Sequence, residues 1–185
     1  MEHVRWARDL ALRLLAETLP GRWSHTRGVA RAAEAVCGVL DEDANRLVCA
    51  AWLHDVGYAP RLATTGFHPL DGARHLRDVE QVDELVCRLV ANHSCAAVEA
   101  GQRNLAGALV MEFPPVGGLL ADALTYVDMT TDPAGNPVSV DDRLGEVLSR
   151  YGPGSVVAES IAQARPDIRR AVQAVTAALV AQRDR

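Results

Sequence analysis

The chain has 185 residues, a length that fits one domain with a substantial hydrophobic core better than it fits two domains. Hydrophobic residues make up 49% of the sequence but aromatic residues only 4%, which favours an all-α protein whose helices pack through Ala, Leu and Val. The net charge of -5 argues against the broad basic surface that binds duplex nucleic acid.

The first predicted helix covers residues 3–18, where apolar side chains recur at helical spacing until Pro20 ends the segment. Charged residues recur every few positions in this segment, so we expect neither a secretion signal nor a membrane span. A second helix is predicted over residues 24–40, with Ser24 as its N-cap. A third helix is predicted over residues 43–56.

A loop rich in Gly, Pro and Thr follows over residues 57–69, and a proline then suits the first turn of a short helix over residues 69–78. A fifth helix is predicted over residues 82–93. After a break at residues 112–118, a further helix is predicted over residues 119–128.

The turn-rich segment DPAGNP precedes Ser139, which makes a weak capping box with Asp142 for a helix that runs through Tyr151. Two more helices are expected, one near residues 155–164 and one over residues 166–183. The whole chain then holds eight or nine helices.

The sequence contains no internal repeat, so we expect a single domain over residues 1–185, with residues 133–185 as a C-terminal helical extension packed on the rest. The four cysteines lack CxxC spacing, and at least three fall on apolar helical segments, which indicates free thiols in a reducing cytosol. No segment offers eighteen uncharged apolar residues. We therefore expect a cytoplasmic protein that does not enter a membrane.

The stretch CAAWLHDVGYAP, residues 49–60, reads as an apolar helix until His54 and Asp55 stand side by side near its end. Both polar groups directly follow Ala, Trp and Leu residues, where water is scarce. A capped surface helix explains one polar group but not two. Another interaction has to satisfy the pair.

Four of the six histidines lie on or beside different predicted helices, and an aspartate ends another helix. With the aspartate of the HD pair, this set comprises His25, His54, Asp55, His68, His93 and Asp128. Each buried polar group without a partner costs about 1–3 kcal/mol, so six would threaten a total stability of about 5–15 kcal/mol. Metal ligation satisfies all of them.

The chemistry of this set narrows the choice of metal. Imidazole and carboxylate ligands without thiolate suit Fe, Mn, Zn, Co or Mg, and the imidazoles favour a transition metal such as Fe. Six ligands exceed one tetrahedral site, so two divalent ions bridged by Asp55 form the natural arrangement.

The ordered pattern H…HD…H…H…D on successive helices resembles the HD-domain superfamily of metal-dependent phosphohydrolases, over about residues 20–130. The HD dipeptide alone is a weak signal, whereas the ordered set is specific. The resemblance implies an HD-type metal-binding core with a dinuclear centre. One ion would be held by His25, His54, Asp55 and Asp128. The other would be held by His68, His93 and the bridging Asp55.

The pattern is also similar to that of small bacterial hydrolases of diadenosine tetraphosphate. Many family members read HDxGK, whose lysine lies near the substrate phosphate, whereas this chain reads HDVGY and has Tyr58 at that position. All nineteen basic residues are arginine, so we expect Arg61, Arg27 or Arg74 to supply the missing positive charge.

For several aspartates and histidines the sequence allows more than one interpretation. Asp122 and Asp128 compete for the carboxylate role, and six helical residues separate them by about 240° around the axis, so both cannot face one ion. We choose Asp128 because the tract TYVD resembles the family's last motif. His68 also fits an ordinary loop, His93 also fits a helix end near the dipole, and His75 is expected at the surface.

The arginines and the loop before His68 have alternatives as well. Arg27 lies off the helical face of His25 and fits a surface salt bridge as well as a phosphate contact. Thr64 and Thr65 share a loop with Arg61, and that loop either closes on a substrate or only connects two helices.

The resemblance implies hydrolysis of a phosphoester or phosphoanhydride by a metal-activated water, with His54 and Asp55 at the catalytic centre. The expected substrate is a small molecule, a nucleotide or a dinucleoside polyphosphate. One alternative is a mixed-valence di-iron oxygenase, and another is a non-catalytic nucleotide-binding or signalling module. Residues 133–185 carry no catalytic signal and can cover the site, set substrate choice or form a homodimer face.

Overall fold

The protein is a single helical domain in the computed structural model, which describes residues 2–184 and contains no β-strand in that range. The all-α fold expected from the composition is confirmed. The described chain forms ten α-helices joined by turns and short 3-10 segments. The α-helices are α1 (Glu2–Leu15), α2 (Pro20–Val36), α3 (Ala44–Leu53), α4 (His68–Asp78), α5 (Glu84–Asn92), α6 (Ala96–Gln102), α7 (Ala106–Glu112), α8 (Leu119–Met129), α9 (Val140–Tyr151) and α10 (Val156–Arg183).

Helix α3 lies at the centre of the domain because it is apolar on every side. All residues from Leu47 to Leu53 are buried, and α1, α2, α5 and α8 pack around them. Burying one Leu or Val side chain contributes about 1.5–3 kcal/mol, so this packing holds α3 firmly. The polar residues His54 and Asp55, which directly follow α3, are thereby fixed in the interior.

Helix α10 packs on α6 and α8, and α9 packs on α8 and α10. Ser139 is the N-cap of α9, as predicted, and its hydroxyl accepts a hydrogen bond from the backbone N–H of Asp142. A small apolar cluster joins α8, α9 and α10. It consists of Met129, Leu144, Ala164 and Ile168.

Helix α10 runs unbroken through Pro166, so the prediction of two helices on either side of this residue is wrong. Proline in a helix interior removes one hydrogen bond and costs about 3 kcal/mol. Both halves of α10 bury apolar side chains, among them Ala164 before the proline and Ile168 and Val175 after it. This packing outweighs the local penalty.

Helix α2 begins at Pro20 and not at Ser24. Proline is favoured in the first turn of a helix because its missing N–H would have no partner there. The helix begins one turn earlier than predicted and ends at Val36, and its earlier start places Arg22 on the same helix as His25. The short helices α6 and α7 also lacked a periodic signal long enough to be predicted.

Two glycine contacts set the spacing between backbone segments. A Cβ on Gly57 would lie 2.0 Å from the carbonyl oxygen of His68 and 2.6 Å from the backbone nitrogen of Gly72. A Cβ on Gly28 would lie 2.5 Å from backbone atoms of Gly135. Only glycine permits such close approach. These contacts fix α4 against the HD turn and the loop after α8 against α2.

All four cysteines are free, as predicted, and Cys49 and Cys87 are buried. Among residues 2–184, none of the helices combines the length and the apolar character needed to traverse a bilayer.

Candidate metal centre

The six predicted ligands come from five segments of the chain and meet at one place. They form two groups, in each of which one ligand atom per residue lies within 4.8 Å of the others. The first group is His25, His54 and Asp128. The second group is Asp55, His68 and His93. The groups adjoin, because the ring centres of His54 and His93 are 5.2 Å apart.

Asp55 stands between the two groups. Its Oδ2 atom lies 3.4 Å from Nε2 of His54, and its Oδ1 atom lies 3.5 Å from Nε2 of His68. The residue has left the helix of α3, with φ -101° and ψ 3°, and this turn directs the carboxylate toward α4. Each carboxylate oxygen therefore faces an imidazole of a different group.

A strained turn places His93 and its neighbour. Ser94 and Cys95 follow His93 with φ of 48° and 62°, in the left-handed region that non-glycine residues rarely adopt. Each such residue costs about 1–3 kcal/mol. The turn allows the Ser94 hydroxyl to donate a hydrogen bond to Oδ2 of Asp128, which orients the other oxygen of that carboxylate.

Backbone carbonyl groups fix the tautomer of three histidines. The Nδ1 atoms of His25, His54 and His93 lie 3.0, 2.8 and 2.6 Å from the carbonyl oxygens of Asp132, Ala51 and Val90. A carbonyl oxygen only accepts, so each Nδ1 carries the hydrogen and donates it. In the neutral ring, Nε2 then presents a lone pair to the cluster. Metal-binding histidines are typically held in this way.

The Nε2 atoms lie so close to one another and to Asp128 that a proton or a metal ion must lie between them. Nε2 of His25 lies 3.0 Å from Oδ1 of Asp128, and the Nε2 atoms of His68 and His93 are 3.2 Å apart. Burial lowers the pKa of His68 well below its usual value and also lowers the pKa of His93, so both rings are neutral at neutral pH. Lone pairs at these distances repel one another unless a proton or a metal ion lies between them.

Among the four imidazoles, that of His54 lies in the environment that most favours a bound proton or metal ion. Its ring is fully buried, and its Nε2 atom has no hydrogen-bond partner among the described residues. Burial disfavours the charged ring, but Asp55 and Asp128 outweigh burial and raise the pKa of His54 to about 9. Four imidazoles and two carboxylates fit divalent transition metal ions. The residues present therefore suit a metal centre.

Both carboxylates of the centre are ionised. Burial disfavours the charged form of Asp55, but His54 and Arg22 hold the pKa of this carboxyl group well below its usual range. Burial also disfavours the charged form of Asp128, but the neighbouring imidazoles of His25 and His54 outweigh it and lower the pKa of this carboxyl group. Ionised carboxylates are the forms that bind cations.

Arg22 lies beside the centre and was missed by the sequence prediction. Its Nη1 atom donates to Oδ2 of Asp55 at 3.0 Å, and its guanidinium carbon lies 3.9 Å from the ring centre of Tyr58. Arg22 precedes His25 by three residues, so both lie on one helical face. This spacing identifies Arg22 once the helix is known to start before Ser24.

Tyr58 occupies the position at which many sequences of the HD-domain superfamily, which this chain resembles, have lysine. Its ring stacks on the ring of His68, with centres 3.9 Å apart and planes inclined by 17°. The tyrosine therefore supports the orientation of His68, and the positive charge next to it comes from Arg22.

The structure does not bring the three predicted phosphate-binding arginines to the centre. Arg27 and Arg61 are exposed to solvent, and neither lines the cleft that opens onto the two groups. Arg74 donates two hydrogen bonds to Glu112, at 3.0 and 2.5 Å. The arginines that do line the cleft are Arg22, Arg143 and Arg150. No local pattern marks the last two, which lie about ninety residues beyond the HD pair.

The loop before His68 is tied down by Asp71. This buried carboxylate accepts hydrogen bonds of 2.7–3.2 Å from the hydroxyls and backbone N–H groups of Thr64 and Thr65 and from the N–H of Gly66. Both threonine hydroxyls are thus used within the loop. This arrangement favours the interpretation of the loop as a connector.

The competing polar residues lie outside both groups. Asp122 pairs with Arg170 at 2.9 and 3.0 Å, on a different face of α8 from Asp128. His75 lies 3.3 Å from Glu80. The choice of Asp128 over Asp122 agrees with the geometry of the groups.

The HD domain family matches residues 22–126, more than half of the chain. Five of the six candidate ligands lie within the match, and Asp128 lies two residues beyond it. No curated protein and no solved structure matches the chain significantly. Members of the family are generally metal-dependent phosphohydrolases. The extent of the match and the two His/Asp groups together show that the chain belongs to the HD domain family.

Proposed function

We propose that the protein is a metal-dependent phosphohydrolase that cleaves a phosphoester or phosphoanhydride bond of a nucleotide or dinucleoside polyphosphate. The observation that carries this proposal is the position of Asp55, whose two oxygens face His54 and His68 in adjoining groups. A carboxylate in that position suits two cations held side by side.

The two groups define the ligands of the proposed centre. His25, His54 and Asp128 would hold one divalent ion, His68 and His93 would hold the other, and Asp55 would contribute a ligand to each. Iron is the first choice, with Mn, Zn, Co and Mg as alternatives. When bound, such a pair supplies Lewis acidity that polarises a phosphoryl oxygen and lowers the pKa of water.

The chain itself contributes orientation and charge. Asp132, Ala51 and Val90 hold three imidazoles in the ligating tautomer through their carbonyl groups. Ser94 orients Asp128. Arg22 brings a positive charge to the lining of the cleft, next to Asp55, where it can neutralise negative charge that develops on a phosphoryl group.

The test is a hydrolysis screen of nucleotides and dinucleoside polyphosphates with protein loaded anaerobically with Fe, Mn, Zn, Co or Mg. We expect phosphate release that persists without dioxygen and is lost in His54→Ala and Asp55→Ala. Asp128→Asn and Asp122→Asn form a matched pair on α8, because Asp128 belongs to the first group and Asp122 pairs with Arg170. Only the first of these should abolish activity.

Three outcomes would overturn the proposal. The first is that no nucleotide is cleaved with any of these ions. The second is oxygen uptake by the iron-loaded protein without phosphate release, which would identify an oxygenase. The third is tight nucleotide binding without turnover, which would identify a binding module.

A further inference from the structure

We propose that helix α9 provides a phosphate-binding subsite next to the metal centre, formed by Arg143 and Arg150 together with Arg22, that takes a non-reacting phosphate of a phosphoanhydride chain. This inference rests on the proposed function and narrows its substrate class to molecules with two or more linked phosphates. It also gives a role to residues beyond the HD match, which ends at residue 126.

The first observation concerns the buried side chain of Arg143. It lines the cleft over the two groups, its side chain is only 5% exposed, and its Nε atom is buried without a hydrogen-bond partner among the described residues. A buried N–H group that lacks an acceptor costs about 1–3 kcal/mol. Phosphate oxygens are the natural acceptors for a guanidinium, whose N–H groups are arranged as a fork.

The second observation concerns the balance of charged side chains on one face of α9. Arg143 and Arg150 both donate to the same oxygen, Oε2 of Glu146. The three residues are spaced i, i+3 and i+7 and share one face of the helix. One carboxylate oxygen thus serves two guanidinium groups, and this face keeps an excess of positive charge.

The neighbouring acidic residues do not cancel this excess. Asp141 accepts hydrogen bonds from Arg169, and Asp142 is exposed and does not line the cleft. Glu99, which also lines the cleft, accepts a hydrogen bond of 2.7 Å from Arg103. The two arginines of α9 therefore remain available to an anion.

Arg22 connects α9 with the metal centre. One of its nitrogens donates to Asp55 at 3.0 Å, and another donates to the hydroxyl of Tyr151 at 3.3 Å. Tyr151 is the last residue of α9. Arg22, Arg143 and Arg150 also line a common pocket, so the three guanidinium groups form a row from the Asp55 carboxylate to α9. A chain of linked phosphates matches such a row of charges, whereas a single phosphate engages only one end of it.

The binding test compares a nucleoside triphosphate analogue that has a β,γ-methylene bridge with the corresponding monophosphate, in excess Mn²⁺, by calorimetry. The variants are Arg150→Gln, at an exposed position that lines the cleft, and Arg143→Lys, which keeps the charge but loses the fork. Arg169→Gln is the control, because Arg169 belongs to the same C-terminal segment but pairs with Asp141 outside the cleft. We expect about tenfold weaker binding of the triphosphate analogue in both variants, unchanged binding of the monophosphate, and no effect in the control.

Steady-state kinetics supply the second readout. For a triphosphate substrate, both variants should raise KM about tenfold with kcat within about twofold of the wild type, because the subsite binds a group that does not react. Unchanged affinity for the analogue in both variants, or an equal loss for the monophosphate, would overturn the subsite. If the wild type binds the analogue through these arginines but cleaves no nucleotide, the proposed function fails and the subsite stands.

Discussion

Arg22 and Asp55 form an ion pair at the edge of the metal centre, with Nη1 of the arginine 3.0 Å from Oδ2 of the aspartate. The same oxygen lies 3.4 Å from His54, and the second oxygen lies 3.5 Å from His68. The carboxylate that we assign to both ions is therefore also held by a permanent cation of the chain. Arg22 and the metal ions consequently compensate the same buried negative charge.

Replacing Arg22 by glutamine should destabilise the metal-free protein by about 1–3 kcal/mol, because the Asp55 carboxylate loses its permanent cationic partner. The loss should be smaller in Mn²⁺-loaded protein, since the ions compensate the same charge. Urea unfolding with and without metal measures both values. Equal losses in the two states would show that Arg22 and the ions do not share Asp55. Arg169→Gln, which removes an exposed ion pair, should change stability by less than about 0.5 kcal/mol in either state.

Removal of the Ser94 hydroxyl should weaken metal binding by about 10–100-fold, because Asp128 loses the hydrogen bond that orients it. Ser94→Ala and Ser94→Gly separate this effect from backbone strain. Ser94 has φ 48°, so glycine relieves strain while alanine does not. Titration of Zn²⁺ against a competing chelator should give similar losses in both variants. Full affinity in the glycine variant would assign the effect to the backbone.

Gly57→Ala should displace α4, because the added Cβ would meet the backbone of His68 at 2.0 Å and that of Gly72 at 2.6 Å. Backbone atoms cannot yield as a flexible side chain does, so we expect a loss of stability of about 1–3 kcal/mol or more. The group that contains His68 should lose metal affinity more than the group of His25.

Gly101→Ala on α6 provides the matched control, since nothing lies within 4 Å of a Cβ at that position. This variant should be neutral or more stable by up to about 1 kcal/mol. Chemical unfolding and metal titration of the two variants distinguish a steric effect from a general effect of glycine replacement. Native-like metal binding in Gly57→Ala would contradict the proposed role of this contact.

Metal binding at pH 7.5 should release about one proton, from His54. The pKa of this imidazole is raised to about 9, so the ring is protonated in the metal-free protein at that pH and must lose the proton to ligate. The affinity should rise about tenfold per pH unit below pH 9 and level off above it, since no proton remains to be displaced. His68 and His93 add no proton, because their pKa values are lowered.

Calorimetry in buffers of different ionisation enthalpy measures this release directly. In His54→Ala the release should disappear, although one ligand is also lost. Zero proton release by the wild-type protein at pH 7.5 would contradict the raised pKa of His54.

Several features of the fold and the site were predictable because they depend on local patterns. The helices around His54 and His93 followed from apolar periodicity, and Ser139 was recognised as an N-cap from its spacing to Asp142. The six candidate ligands were recognised from their order along the chain, and the structure brings them into two adjoining groups. Such signals lie in residue type and spacing.

Other features depend on contacts that no local pattern records. Pro166 stays within α10 because distant apolar surfaces cover both halves of the helix. Arg143 and Arg150 reach the cleft only because α9 packs back beside α8, and nothing near them in sequence indicates this. Arg27 and Arg61 lie close to ligands in the sequence, yet their side chains are exposed outside the cleft. Closeness to a ligand in the sequence therefore did not identify the arginines that line the cleft.

The most direct test of the dinuclear centre is the metal content of anaerobically purified protein, measured by elemental analysis beside His54→Ala and Asp55→Ala. We expect two equivalents of divalent metal per chain in the wild-type protein and a marked loss in both variants. Wild-type protein that binds no metal, or variants that retain both equivalents, would contradict the assignment of His25, His54, Asp55, His68, His93 and Asp128 as ligands.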